Sequence, residues 1–317
     1  MFRQKDAMSD ESPFVPGIHP CVPVGLDRAT SEGSMDGTTD RLFCVTVHFS
    51  TSTLFAFVVA AAASPMSQQL PTILFTPGAW HGPWAFDLVR SDLSGRGYPT
   101  AAVTLAGVGS TDPSVGLEQD TEAVRTELQT LVDEGRDVIM VAHSYGGIPV
   151  SNAVKGLNYK DLVAQKKPGG VIMVIYLTSF AIPAGTGLYN GGDLAPWWNV
   201  TDGFISPETP VAIFYADVEP ELAAKAVSLL KPQPFKTMTD KSGYEPWNNG
   251  FEMGYVFAEN DQAIPIDLQK SMASAFPASS FTATLNSSHS PFLSMPKAVA
   301  DVLQQAAEQA VAKRVAV

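Results

Sequence analysis

The chain has little cysteine: two residues in 317, Cys21 and Cys44, both within the first 66. Everything after them lacks an internal disulfide, a cysteine nucleophile and a thiolate metal site. No spaced cluster of His, Asp and Glu resembles a zinc site, and no Gly-rich dinucleotide or P-loop fingerprint appears. Neither a metal nor a cofactor is therefore expected. Basic residues are also scarce, 20 Lys and Arg against 32 Asp and Glu, for a formal net charge of −12. That balance argues against nucleic acid or an anionic membrane as partner, and solubility is its simpler meaning. With 45% hydrophobic and 16% charged residues, the chain has the material for a large core and is no disordered protein.

The first 66 residues stand apart. Residues 1–40 are rich in Pro, Ser, Gly, Asp and Thr without helical or strand period, so residues 1–65 are expected to form a disordered extension. Within it, 42–63 is an apolar segment of 22 residues, long enough to span a bilayer, with small residues at its end like a signal segment. Polar Thr46, His48, Ser50, Thr51, Ser52 and Thr53 weigh against both roles, and a signal peptide normally begins near residue 1. A working start at Met66 is the third reading, because Met66-Ser67-Gln68-Gln69-Leu70 runs directly into a strand. Asn199-Val200-Thr201 and Asn286-Ser287-Ser288 are glycosylation sequons, but a glycan on Asn286 would crowd His289. The favoured location is cytoplasmic. Membrane contact, anchoring or secretion would follow only from retention of the 42–63 segment.

From residue 66 to 317 a single α/β domain is expected. Strand-like runs recur at 72–76, 100–105, 137–142, 171–178, 253–258 and 281–285, with helical patterns at 84–96, 117–134, 149–155, 266–275 and 297–312. Strands alternating with helices predict a mostly parallel central sheet covered on both faces. The interval from about 180 to 250 breaks this rhythm, with many aromatic residues and one clear helix at 219–230. It reads as a cap inserted between the sixth and seventh strands, with an apolar pocket beneath it.

The chemistry centres on Val141-Ala142-His143-Ser144-Tyr145-Gly146-Gly147. A serine between a buried strand and a helix, with small neighbours, is a nucleophile elbow, here with Ala142 in place of the usual first glycine. A serine hydroxyl needs a base within reach. Of the five histidines, His19, His48, His81, His143 and His289, only His289 follows Ser144 beyond the adjacent region, as the chain order nucleophile–acid–histidine requires. The acid is assigned to Asp261, after a strand and before a helix, with Glu259, Asp217 and Glu219 as rivals, the last two suited to capping. The oxyanion donors are assigned to the backbone N–H groups of Tyr145 and Ala79, with Gly78 letting the loop turn toward the site. Trp80, His81, Trp197 and Trp198 are candidate substrate contacts; for His81 a local loop contact is the simpler role. His143 is read as structural, its side chain pointing away from Ser144.

Four motifs carry a resemblance: Pro77-Gly78-Ala79-Trp80-His81-Gly82, the Ser144 elbow, Glu259-Asn260-Asp261-Gln262-Ala263-Ile264-Pro265 and His289-Ser290-Pro291-Phe292. Over residues 70–310 the chain resembles the small cofactor-free α/β-hydrolases, namely fungal and bacterial esterase-like members and the plant methylesterase and hydroxynitrile lyase group. The resemblance implies the same triad and oxyanion donors, and the α/β-hydrolase fold. Gly78 stands where the lyases carry threonine and Ser290 where they carry lysine, so cyanohydrin cleavage is not expected. The reading is a serine hydrolase for a small hydrophobic ester or lactone. Its alternatives are C–C bond hydrolysis on the same triad and a non-catalytic ligand receptor on the same fold.

Overall fold

The computed structural model describes residues 69–315. The expectations for 1–65 and for the apolar segment 42–63 fall outside that range. Among the described residues, no helix is long and apolar enough to cross a membrane.

Six strands form the central sheet: β1 (Thr72–Thr76), β2 (Thr100–Ala102), β3 (Asp137–Ser144), β4 (Gly170–Ser179), β8 (Met253–Ala258) and β9 (Phe281–Leu285). Their order is β2-β1-β3-β4-β8-β9, and every neighbouring pair is parallel. Every residue of β1, β4 and β8 is buried, as a strand covered on both faces demands. The helices that cover the sheet form two packed groups. One comprises α1 (Asp87–Gly95), α9 (Pro291–Ser294) and α10 (Pro296–Val315), with α10 resting on β4 and β9. The other comprises α2 (Leu117–Asp133) and α3 (Gly147–Ala153), both against β3. The short α4 (Tyr159–Ala164) leads into β4, and α8 (Ile266–Ala273) packs on β8.

Several boundaries differ from expectation. β2 stops at Ala102 rather than residue 105, because Val103 N–H makes the last bond to β1, at Phe75 O, and the chain then leaves the sheet. The expected helix at 84–96 opens as a 3-10 turn, Pro83–Phe86, before α1 begins. Among the described residues, the aromatic interval lies between β4 and β8, the fourth and fifth strands of the central sheet in chain order, rather than between a sixth and a seventh. Within the interval, β5 (Trp198–Thr201), β6 (Phe204–Pro207) and β7 (Gln233–Pro234) make a second, antiparallel sheet in the order β5-β6-β7. It is accompanied by α5 (Pro210–Phe214), α6 (Pro220–Leu229) and α7 (Lys236–Thr239).

Parallel strands aligned this way place their carboxyl ends together. Ser144 ends β3, and the segments just after β1, β8 and β9 carry Ala79, Asp261 and His289.

Candidate active site

Ser144 is the last residue of β3 and has φ 51°, in the left-handed region that a non-glycine residue adopts at a cost. The turn is held by Ser144 O, which accepts from Phe180 N–H at 3.0 Å and from Ser179 Oγ at 2.8 Å. Its glycines are required by space: a Cβ on Gly146 would lie 2.4 Å from Pro77 O, and one on Gly147 2.2 Å from Phe180 O. Gly78 has a similar reason. The expectation gave it a turn, but its function is close approach, since a Cβ there would stand 2.7 Å from Ser144 Cβ.

Asp261 and His289 meet at 2.7 Å, Oδ2 to Nδ1, with both side chains buried. The carboxylate is fully occupied. Oδ1 accepts from the N–H groups of Ala263 at 2.7 Å and Ile264 at 2.9 Å, and Oδ2 also accepts from Thr178 Oγ1 and, at 3.4 Å, from Gln269 Nε2. A carboxylate at Nδ1 keeps the proton there and leaves Nε2 as the lone-pair nitrogen. Among the described hydrogen bonds none joins His289 to Ser144 Oγ; such contacts commonly tighten when substrate binds. The rival carboxylates serve elsewhere. Asp217 accepts from Ser288 N–H at 3.0 Å and from Ser288 Oγ, fixing the backbone next to His289, and Glu219 caps α6 through the N–H groups of Glu221 and Leu222.

His143 is closer to the site than its structural reading implies. Its Nε2 donates to His289 O at 3.0 Å, its ring centre lies 4.6 Å from that of His289, and its Nδ1 has no partner. Burial pushes its pKa well below the ordinary histidine value, with the neighbouring His289 and His81 acting the same way. His81 is likewise buried, and desolvation lowers its pKa to about 4. Its Nδ1 donates to Ala79 O at 2.7 Å and its Nε2 accepts from Tyr215 OH at 2.7 Å. Both rings face carbonyl or hydroxyl groups and stay neutral near pH 7, so among these three imidazoles only His289 has a carboxylate to support a positive charge.

Ser144, Ala79, Tyr145, Trp80, Trp197 and Trp198 line one cavity of about 220 Å³. His81 does not line it, because both ring nitrogens are spent on Ala79 and Tyr215 and the ring is buried behind the loop; as a substrate contact it is replaced by this local role. Ser144 is only 8% exposed, so this cavity is its access to solvent. The walls are mainly aromatic and aliphatic, with the carboxylate of Asp193 among them. Trp80 meets Trp197 edge-on at 5.7 Å and stacks on Phe214 at 5.6 Å, and Phe214 lies 5.6 Å from His289.

Two backbone donors on either side of Ser144 are free to receive an oxyanion. Trp80 N–H is taken by Gln233 Oε1 at 2.9 Å, and His81 N–H by Gly78 O at 3.3 Å. Among the described residues no acceptor is recorded for the N–H of Ala79 or of Tyr145. Reading the sequence alone missed Gln233, Thr178, Gln269 and the His143–His289 contact. Buried Gln and Thr carry no spacing signature that marks such roles. No group of His, Cys, Asp and Glu able to hold a metal ion occurs among the described residues.

Residues 73–302 match the alpha/beta hydrolase family. The alpha/beta hydrolase nvfD of Aspergillus novofumigatus is 31% identical over 250 residues, covering 76% of this chain and 98% of that protein. Methylesterase 7 of Arabidopsis thaliana is 25% identical over 255 residues, 73% of this chain and 94% of its own. Among solved structures, a pyrethroid hydrolase from Sphingobium faniae superimposes with a TM-score of 0.62 at 22% identity, covering 75% of this chain and 97% of the other.

Proposed function

Since the chain belongs to the alpha/beta hydrolase family, we propose that it is a serine hydrolase cleaving a carboxylic ester or lactone of a small hydrophobic substrate through an acyl-enzyme. The observation that carries this reading is the buried Asp261–His289 hydrogen bond at the strand ends that also present Ser144.

In this mechanism Ser144 Oγ attacks the carbonyl carbon as His289 Nε2 takes its proton. The carbonyl oxygen becomes an oxyanion and accepts from the N–H groups of Ala79 and Tyr145, neither of which has a protein acceptor among the described residues. Asp261 supports the imidazolium across its 2.7 Å bond. Collapse of the tetrahedral species breaks the bond to the alkoxy oxygen, which leaves with the proton from His289; in a lactone the freed hydroxyl remains on the acyl group. Water then attacks the acyl-serine with His289 again as base, releasing the acid. The segment 180–250 acts as a cap in this scheme, its Trp197 and Trp198 enclosing the substrate. A cavity of about 220 Å³ is smaller than the ~300–1,000 Å³ usual for drug-sized ligands, which favours a short acyl or alcohol group.

The test is hydrolysis of p-nitrophenyl esters of increasing acyl length by the full chain beside Ser144→Ala. The expected result is an optimum at short acyl chains and a loss of kcat on the order of 10⁶-fold in the variant. Turnover that survives in Ser144→Ala, or none from the folded wild type, overturns the reading.

A further inference from the structure

The loop that supplies Ala79 is pinned almost entirely from outside the central domain. Trp80 sits at φ 66°, a conformation that an aromatic side chain does not hold unaided. Its three polar groups all engage the inserted segment. The backbone N–H donates to Gln233 Oε1 at 2.9 Å, the backbone carbonyl accepts from Lys231 N–H at 3.1 Å, and the indole N–H donates to Ile205 O at 3.0 Å. Ile205 and Gln233 are register partners of β6 and β7, so one small sheet supplies both contacts. The same peptide is fixed at its other end by His81 Nδ1, which donates to Ala79 O. The N–H groups of Trp80 and His81, which follow Ala79, are engaged, while that of Ala79 has no protein acceptor among the described residues.

Gln233 extends the clamp into the inserted segment. It is fully buried, and its Nε2 donates to Thr237 Oγ1 at 2.6 Å. Thr237 Oγ1 donates in turn to Pro234 O at 2.8 Å, while the Tyr145 hydroxyl is held separately, donating to the buried Asp120 carboxylate at 2.6 Å. One chain of buried polar groups thus runs from Trp80 through Gln233 to Thr237 and the carbonyl of Pro234. It holds the residue that follows the Ala79 donor, and a buried network of this kind is rigid only when every member is satisfied.

We propose that Gln233 is a positioning residue for the oxyanion hole, so that the inserted segment sets the catalytic geometry as well as covering the substrate. The proposal rests on the ester-hydrolase reading above. Gln233 does not line the cavity, so it acts on the transition state through Trp80 and Ala79, leaving ground-state contacts alone. A carboxylic acid of the same shape would offer a carbonyl to Trp80 and a hydroxyl to Thr237, and burial would keep it protonated.

The experiment uses the full chain and p-nitrophenyl acetate, comparing wild type, Gln233→Leu, Gln233→Glu and Ser144→Ala. A trifluoromethyl ketone, whose hemiketal oxyanion occupies the hole, serves as the transition-state probe. Gln233→Leu is expected to lose roughly 10–100-fold in kcat, part of the ~10²–10³ that loss of a whole donor costs. KM should change less than about threefold, and the ketone should weaken by the factor seen in kcat/KM. Gln233→Glu should recover most of the turnover, with thermal unfolding measured alongside to establish that each variant is folded. A folded Gln233→Leu with wild-type kcat, or one whose loss lies in KM with ketone affinity intact, overturns the positioning role and leaves the hydrolase reading standing. Absence of Ser144-dependent turnover in the wild type overturns both.

Discussion

Asp261→Asn is the substitution whose consequence the hydrogen bonds determine most fully. Oδ1 accepts from two backbone N–H groups, Ala263 and Ile264. Oδ2 accepts from His289, Thr178 and Gln269. The amide of asparagine has one oxygen, and two orientations are available. With the oxygen kept on the Ala263 and Ile264 side, the NH₂ group confronts three donors. Thr178 can rotate its hydroxyl to accept, and His289 can respond only by moving its proton to Nε2. The ring then cannot take the proton of Ser144, so kcat should fall by ~10⁴. With the amide flipped, His289 keeps its tautomer, but the buried N–H of Ile264 and the half-buried N–H of Ala263 lose their acceptor, the buried one at about 1–3 kcal/mol. The first orientation therefore prevails, and the penalty appears in catalysis more than in stability. Because Asp261 does not line the cavity, KM for a p-nitrophenyl ester should stay near wild type. Steady-state kinetics beside an Asp217→Asn control provide the assay, since Asp217 contacts Ser288 and not the ring. An Asp261→Asn enzyme retaining a tenth of wild-type kcat, or an equal loss in Asp217→Asn, refutes the assignment.

Stability should also depend on pH through the neutral histidines. His81 has its pKa lowered from 6.5 to about 4, so between those values the unfolded chain binds a proton that the folded chain does not, and stability falls as the solution is acidified; His81 alone contributes roughly 3 kcal/mol over that window. His143 is shifted in the same direction and steepens the decline, which denaturant titrations from pH 7.5 to pH 4 would reveal as a falling midpoint, and a midpoint that rises or stays flat contradicts it. Gly147→Ala forces a Cβ to within 2.2 Å of a backbone oxygen, and overpacking of about 1–3 kcal/mol should lower the calorimetric Tm by several degrees. An unchanged Tm would mean that the elbow has slack.

The central strands are legible in sequence because β-branched and apolar runs such as Val138-Ile139-Met140-Val141-Ala142 are buried on both faces. The motif residues follow them at the sheet's carboxyl edge for the same topological reason. The second sheet is harder to read. Its strands are two to four residues long and end in Pro207 and Pro234, so neither length nor composition announces them. One local signal does exist: Asp202-Gly203, both at positive φ (52° and 82°), close a two-residue hairpin between Thr201 and Phe204. Its alternation, Trp198 and Val200 inward with Asn199 and Thr201 outward, agrees with that turn. The clamp on Trp80 has no such signature. It joins residues 153 positions apart through a side-chain amide, and only the folded register of β6 and β7 brings them together.

Three of the six described non-glycine residues at positive φ lie where the chemistry is proposed. Thr178 has φ 39° although its branched side chain makes that conformation costly, and it is the extra residue in a register shift where His143 pairs with Leu177 but Ser144 with Ser179. Without the shift, β4 would continue in phase with β3 and the Thr178 hydroxyl would follow the regular alternation of the strand. With it, Oγ1 donates to Asp261, and Ser179 and Phe180 are left to bind the carbonyl of Ser144. Ser144, Thr178 and Trp80 are thus three non-glycine residues at positive φ. Each would cost about 1–3 kcal/mol alone. Each is held by hydrogen bonds from a different part of the fold: the end of β4, the Asp261 loop and the inserted sheet. These three border the cavity, the acid and the oxyanion loop, and each is held there by hydrogen bonds to a separate element, whereas Lys166, Asp202 and Thr209, the other described non-glycine residues at positive φ, lie in connecting turns.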